Sequence, residues 1–236
     1  MKPERFDLCL PCPEDILPDV ISLVGYPSSK ELGDDIRGEI ERAVDQCLAK
    51  VAPACLYKTT PFVRLEKDLL VGRDVEIRST RLAHLVKRLR EPEVICWFVV
   101  TTGQALEKAI NETQSESLFH AYLLDAAGSV VTERLTDQLD RHVSGLLGAE
   151  GYQTTGRFSP GYCDWDLSEG QEALFRFLEP ESVGVQRTSA GMMIPQKSIS
   201  AALVGAREVS LRYPCPFCAK GDCPYRREEE GSDLHN

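Results

Sequence analysis

The stretch EVICWFVVTT, residues 93–102, contains the longest apolar run of the chain and indicates how the rest is arranged around it. Its core, VICWFVV at 94–100, is rich in β-branched and aromatic residues, which is typical of a strand buried on both faces. This run is far shorter than the ~20 residues that a membrane-spanning helix needs. We therefore predict that residues 93–102 form a central strand of a sheet, and we expect no membrane segment.

Upstream of this strand, helical and strand-like periodicities follow each other without a regular β-α order. Residues 34–51 place their apolar side chains on one helical stripe, and residues 54–77 form a run of short strand-like segments. Ser79 is expected to cap another helix, which Pro92 ends. Such uneven runs favour an α+β domain over a doubly wound one.

Downstream, the pattern continues with helices and then with strands. Residues 115–151 predict one long helix or two in succession, residues 169–178 predict a further helix, and residues 182–211 predict two or three strands. We predict a single α+β domain over residues 1–212, with a mainly antiparallel sheet flanked by helices. Residues 213–236 lack a core-forming pattern, and we predict that they form a cysteine-rich tail.

The composition excludes several classes of protein. The 236 residues carry a formal net charge of −10, and no block of lysine and arginine offsets it, so nucleic acid is not expected as a partner. The first residues have charges and prolines where a secretion signal needs an apolar core, so we expect a cytoplasmic protein. Its nine cysteines are then not expected to form a disulfide framework. Cys47, Cys55 and Cys96 stand among apolar residues and are expected to pack in the core.

Two nucleotide-binding signatures are absent. No G-x-G-x-x-G follows a predicted strand, and no phosphate-binding P-loop is present. The sequence therefore does not support a dinucleotide site or a P-loop nucleotide site.

One short motif combines side chains suited to ligand binding. In GRFSPGY, residues 156–162, Arg157 offers a planar fork of donors for a carboxylate, Pro160 fixes φ, and Gly161 allows a close backbone approach. Tyr162 adds an apolar face and a hydroxyl group. This set suits a small zwitterion such as an amino acid or an adenosyl compound. The alternative is a structural turn in which the arginine packs over the tyrosine.

Two further features could contribute to the same site. Glu133, on the predicted long helix, could balance a cationic ligand if it faces a pocket. Met192 and Met193 could form an adaptable apolar wall. The alternatives are a surface glutamate and ordinary packing of the methionines.

The predicted tail carries three cysteines within nine residues, Cys215, Cys218 and Cys223. Thiolates at this spacing select zinc, copper(I) or an iron–sulfur cluster, and four thiolates are usual. The fourth could come from Cys9, Cys12 or Cys163. A tail without metal is the alternative.

Glu133, residues 157–162 and residues 188–203 together resemble the activation (reactivation) domain of cobalamin-dependent methionine synthase. That family carries an Arg-x-x-Pro-Gly-Tyr motif, matched here by Arg157, Pro160, Gly161 and Tyr162, and a helical glutamate matched by Glu133. The family's Ser-Gly-Trp-Tyr stretch is replaced by residues 190–193, Ala-Gly-Met-Met. The resemblance covers about the second half of the chain. The cysteine motif is foreign to the classical domain and looks more like free-standing relatives from anaerobes.

The resemblance implies binding of S-adenosylmethionine. Arg157 would hold the ligand's carboxylate, the backbone around Ser159 and Gly161 would cradle it with Tyr162 alongside, and Glu133 would complement its positive charge. Met193 would form part of the ligand wall, in place of the family's aromatic pair.

The resemblance also implies a role in the reductive reactivation and methylation of a cobalamin. The sequence has no D-x-H-x-x-G, the motif of the histidine-ligated cobalamin module, so the cobalamin would be carried by a partner. That partner would be a corrinoid-binding protein or a methionine synthase core, and an iron–sulfur cluster on the cysteines could supply the electron. One alternative is a non-enzymatic metal-binding partner, with iron–sulfur or zinc, that acts in electron transfer or as a scaffold. Another is a zinc-stabilised interaction module.

Overall fold

A computed structural model describes residues 2–26 and 32–217 and shows a sheet with helices on both faces. The six-stranded sheet has the order β3-β2-β1-β4-β8-β5, and its pairs are antiparallel. Its strands are β1 (Ala54–Glu66), β2 (Leu69–Gly72), β3 (Glu76–Arg78), β4 (Arg90–Thr101), β5 (Gln153–Thr154) and β8 (Ser198–Glu208). A separate small hairpin pairs β6 (Gln186–Arg187) with β7 (Met193–Ile194). The predicted α+β fold with a mainly antiparallel sheet is confirmed.

Strand β4 lies between β1 and β8, as predicted from its apolar run. Because successive side chains of a strand point to opposite faces, Cys96 and Phe98 enter one core while Ile95 and Trp97 enter the other. All four side chains are fully buried. Both faces of the sheet are therefore covered.

The helices divide between these two faces. The first core includes buried residues of four helices: α1 (Pro13–Leu23), α2 (Asp34–Lys50), α4 (Gln104–Gln114) and α5 (Leu118–Ala149). The second includes α3 (Thr80–Val86) and α6 (Leu167–Leu178). Ser79 caps α3, and its Oγ accepts from the backbone N–H of Leu82 at 3.0 Å.

The prediction that Pro92 ends the third helix is wrong. Helix α3 already ends at Val86, and Pro92 lies within β4. The register of β4 against β8 shifts between Pro92 and Val94, which is an irregularity of the kind at which a strand tolerates a residue without a backbone N–H.

Helix α5 is one continuous helix of 32 residues, and it contacts β4, β5 and β8 of the sheet. The Thr132 and Thr136 hydroxyls are buried, and they donate to the carbonyls of Gly128 and Thr132 at 2.6 and 2.7 Å. These bonds satisfy both buried hydroxyl groups within α5 itself. No helix in residues 2–26 or 32–217 is long and apolar enough to cross a membrane.

The segment that follows β8 returns to the domain. The backbone N–H of Gly156 donates to the carbonyl of Arg212 at 2.8 Å, and the Phe217 ring meets the His84 ring edge-on at 5.6 Å. The guanidinium of Arg88 lies 5.0 Å over the same Phe217 ring. Residues 213–217 thus contact the domain, and a boundary at residues 212 and 213 stays a prediction.

Candidate functional site

A cavity of about 660 Å³ opens between the middle of α5, the loop before α6, the start of β8 and the segment after β8. It is lined by every residue that the sequence suggested for ligand binding: Glu133, Arg157, Ser159, Pro160, Gly161, Tyr162 and Met193. Residues far apart in sequence thus share one concave surface. A volume in the range of roughly 300–1,000 Å³ is usual for a small-molecule site.

The loop that carries Arg157 is fixed to the sheet by its neighbour. Phe158 and Ala202 exchange two backbone hydrogen bonds of 2.8 Å, which form an isolated antiparallel bridge to β8. The Phe158 ring stacks on Trp165 at 5.6 Å, and Trp165 in turn meets Trp97 of β4 edge-on at 5.5 Å. Since Phe158 points into this core, the extended backbone directs Arg157 and Ser159 to the opposite side, where the cavity lies.

Residues 159–165 form a tight turn at the edge of the cavity. The N–H of Tyr162 donates to the carbonyl of Ser159 at 3.2 Å, and the N–H of Gly161 donates to the carbonyl of Trp165 at 2.9 Å. Gly161 has a φ of 86°, which few residues with a β-carbon adopt. The sequence pattern Pro-Gly therefore produces the turn, and half-exposed Tyr162 follows it and lines the cavity.

Asp164 ties this turn to the start of α3. Its carboxylate accepts from the Ser79 hydroxyl at 2.6 Å and from the backbone N–H groups of Thr80 and Arg81 at 2.9 and 3.3 Å. A carboxylate at a helix N-terminus satisfies donors that have no partner within the helix. The last of these bonds holds the backbone of Arg81, a residue that lines the cavity.

Arg157 is the centre of an ion-pair cluster with three carboxylates of α5. Its Nη2 lies 2.5 Å from Oε2 of Glu133, and its Nη1 lies 2.6 Å from Oδ1 of Asp137 and 3.7 Å from Oδ2 of Asp140. The three acids stand at positions i, i+4 and i+7, which lie on one face of a helix. The guanidinium fork is therefore shared among three acidic side chains.

Burial acts in opposite directions on the two ends of this cluster. It raises the pKa of Asp140, because the Arg157 and Arg212 charges only partly offset the loss of solvation. Burial alone would lower the pKa of Arg157, but the hydrogen bond to Asp137 and the charges of Glu133, Asp137 and Asp140 outweigh it and raise that pKa. Arg157 stays charged, because the three acids together outweigh its loss of solvation, whereas the two arginine charges do not outweigh that of Asp140.

Asp137 and Asp140 were missed in the sequence. Their spacing from Glu133 was a usable signal, because a single helix over 115–151 puts all three acids on one face. The phase of that face relative to Arg157 depends on how α5 packs on the sheet, which local sequence does not specify.

The floor of the cavity is polar. Ser198, Ile199 and Ser200 at the start of β8 line it together with Gln171 of α6. The Gln171 amide donates through Nε2 to Oγ of Ser200 at 2.9 Å, and its Oε1 is buried without a hydrogen-bond partner in the described part of the chain. This polar floor can position the polar edge of a ligand.

Two cysteines lie on the cavity wall, Cys163 within the turn and Cys215 after β8. Cys218 and Cys223 lie outside the described residues. Cys9 and Cys12 are exposed and do not line the cavity; the backbone of Cys9 exchanges hydrogen bonds with the Gln138 amide. Within residues 2–26 and 32–217, no three His, Cys, Asp or Glu side chains are arranged to hold a metal ion.

Comparison with protein-family models found no match, and comparison with curated proteins found none either. Among solved structures, the chain is similar to the MetH reactivation domain bound to AdoHcy, with a TM-score of 0.61 and 16% sequence identity. The superposition covers 88% of this chain and 79% of that one. At this identity the likeness is one of fold, and the chain shares its fold with that reactivation domain.

Proposed function

We propose that the cavity binds S-adenosylmethionine and that the chain acts on a corrinoid partner in reductive reactivation and methylation. The observation that carries the proposal is the position of Arg157, which lies in the cavity wall between three carboxylates and the Ser159–Tyr162 turn. The fold shared with a reactivation domain that binds AdoHcy supports it.

The ion-pair cluster suits the amino-acid end of this ligand. A ligand carboxylate would replace Glu133 or Asp137 on the Arg157 fork, because guanidinium pairs with carboxylates in a bidentate manner. The ligand's ammonium group would then pair with the displaced acid. The exchange removes one ion pair of Arg157 and forms two with the ligand, so the displaced acid keeps a charged partner.

The remaining walls suit the rest of the ligand. The Ser159–Gly161 backbone would lie along it, and Tyr162 and Met193 would offer an aromatic and a thioether surface. The polar wall of Gln171 and Ser200 would face an amino or hydroxyl group.

The reaction would occur at the mouth of the cavity, with the cobalamin carried by a corrinoid-binding protein or a methionine synthase core. Cobalt(II) would first be reduced to cobalt(I) by one electron, supplied by a separate donor or by an iron–sulfur cluster on the cysteines. Cobalt(I) then attacks the ligand's methyl carbon, the carbon–sulfur bond breaks with its electron pair going to sulfur, and a neutral thioether leaves. This chain would contribute by holding the methyl group in line with the cobalt.

Calorimetric titration of S-adenosylmethionine into anaerobically purified protein tests the proposal. We expect micromolar to sub-millimolar binding by the unaltered chain and loss of at least tenfold in affinity in Arg157→Gln, because the ligand's carboxylate loses its charged partner. Arg134→Ala is the matched control, since Arg134 pairs with Asp19 on α1 and does not line the cavity. Absence of binding to the unaltered chain would refute the proposal.

A second candidate function is favoured by the two cysteines on the cavity wall. Cys163 and Cys215 could join Cys218 and Cys223 in a four-thiolate site for an iron–sulfur cluster or zinc, in an electron-transfer or scaffold role that needs no ligand. A cytoplasmic location would keep these thiols reduced.

Metal analysis of anaerobically purified protein separates these possibilities. Iron with matching sulfide and visible absorption would indicate a cluster, and stoichiometric zinc would indicate a structural site. Metal without S-adenosylmethionine binding would support the second function alone. Absence of both iron and zinc would remove it.

A further inference from the structure

The cavity carries more negative than positive side chains. Its lining includes three acids, Glu133, Asp137 and Asp140, against two arginines, Arg81 and Arg157. The excess lies at the α5 wall, where all three acids pair with Arg157, and Arg212, which does not line the cavity, adds its charge at Asp140. A bound group here therefore experiences a local excess of negative charge.

The Arg157–Asp140 part of this cluster lies where solvent screens charge weakly. The side chains of Arg157 and Asp140 are 14% and 15% exposed, whereas those of Glu133 and Asp137 are 52% and 36% exposed. Partly buried charges are screened less by water and salt than exposed ones. A charge on the ligand near this wall consequently changes the binding free energy more than it would at an open surface.

The proposed exchange of partners leaves the excess in place. A ligand zwitterion brings one carboxylate to Arg157 and one ammonium group to a displaced acid, so its own charges cancel. Three acids still face Arg157, with the Arg212 charge acting on Asp140, and a further positive charge on the ligand adds to their compensation. In S-adenosylmethionine that charge is the sulfonium, a few bonds from the carboxylate held by Arg157.

We propose that Asp137 and Asp140 make the cavity selective for the positively charged sulfonium ligand over its neutral thioether counterpart. This inference rests on the proposed function and assigns two residues that neither the motif nor the resemblance includes. Binding strength would then fall once the methyl group has left, because the ligand loses its positive charge at the acidic wall. The two aspartates would thereby favour release of the used ligand.

Parallel titrations with S-adenosylmethionine and S-adenosylhomocysteine test it in four proteins: the unaltered chain, Asp137→Asn, Asp140→Asn and Glu150→Gln. The amide variants keep the shape and a hydrogen-bond acceptor while removing the charge. Glu150 is the C-cap of the same helix but does not line the cavity, so its variant controls for net charge. We expect the unaltered chain to prefer the sulfonium about tenfold, equivalent to about 1.4 kcal/mol. Each Asn variant should reduce that ratio at least threefold, and Glu150→Gln should not change it.

The results separate this inference from the proposal beneath it. Equal affinity of the unaltered chain for both ligands, or a ratio unchanged in both Asn variants, would overturn the selectivity while leaving the ligand site intact. Binding of neither ligand would reject the proposed function itself. Far-UV circular dichroism verifies folding, and if one Asn variant does not fold, the ratio in the other decides.

Discussion

Tyr213 packs so closely over Gly156 that a β-carbon at position 156 would lie 2.0 Å from Cε1 of the tyrosine ring. Gly156 directly precedes Arg157, and its backbone N–H donates to the carbonyl of Arg212 at 2.8 Å. We predict that Gly156→Ala displaces the segment after β8 and lowers the free energy of unfolding by about 1–3 kcal/mol, as overpacking does. Thermal unfolding and limited proteolysis after β8 measure both effects.

Gly145→Ala is the control for this substitution. A β-carbon at Gly145, in α5, would meet nothing within 4 Å, so the alanine should stabilise the helix by about 0.5–1 kcal/mol. Equal stability of the two alanine variants would show that Tyr213 does not require the glycine.

Asp164 lies in the turn beside the cavity and should stabilise the domain through its hydrogen bonds to the start of α3. Asp164→Ala removes the acceptor for the Ser79 hydroxyl and for two N–H groups at the start of the helix, which we expect to cost about 1–2 kcal/mol of stability. Chemical denaturation measures the loss. Glu172→Ala, at an exposed position of α6, should stay within about 0.5 kcal/mol of the unaltered protein. A loss of the same size in both variants would contradict the role given to Asp164.

The stability of the domain should depend on pH through Asp140. Because burial raises its pKa in the folded state, the folded protein binds this proton more tightly than the unfolded chain, whose aspartates titrate near ~3.9. Deprotonation therefore lowers stability as pH rises from about 4 through the raised pKa. Asp140→Asn lacks this proton, so its stability relative to the unaltered protein should improve over that window. Urea denaturation at pH 4, 5, 6 and 7 measures the free energy of unfolding of Asp140→Asn minus that of the unaltered protein. A value that stays constant or declines as pH rises would disprove the prediction.

The thiols buried in the core should resist modification. Burial raises the pKa of Cys47 to about 12 and also raises the pKa of Cys55 and Cys96, so little thiolate forms at neutral pH. Iodoacetamide at pH 8, followed by peptide mass spectrometry, should label exposed Cys9 and Cys12 quickly and leave these three unlabelled until the protein is unfolded. Rapid labelling of Cys96 in the folded protein would contradict its burial at the centre of the sheet.

The architecture was predictable where one segment carries its own signal. The apolar run at 93–102 identified the central strand because both of its faces are buried. The Arg157–Tyr162 motif indicated a turn beside an arginine side chain, and in the structure its residues line a cavity. In these cases the residue pattern and the local geometry carry the same information.

What could not be predicted depends on contacts between distant segments. Residues 213–217 have no periodicity, and their return to the domain depends on the space above Gly156 and on the Phe217 contacts. Pro92 suggested the end of a helix, but an irregularity in β4 accommodates it. A single sequence does not show which distant segments pack together, because the packing energy depends on the side chains of both segments.

The unbroken length of α5 restricts which changes in chain length the protein can tolerate. One residue inserted between Glu133 and Asp137 would rotate all later positions by about 100° and carry Asp137 and Asp140 away from Arg157. The same rotation would turn buried Leu139 and Val143 towards solvent, so the insertion would damage the core and the cavity together. The spacing Glu-x3-Asp-x2-Asp on one unbroken helix is therefore what keeps the three acids opposite Arg157.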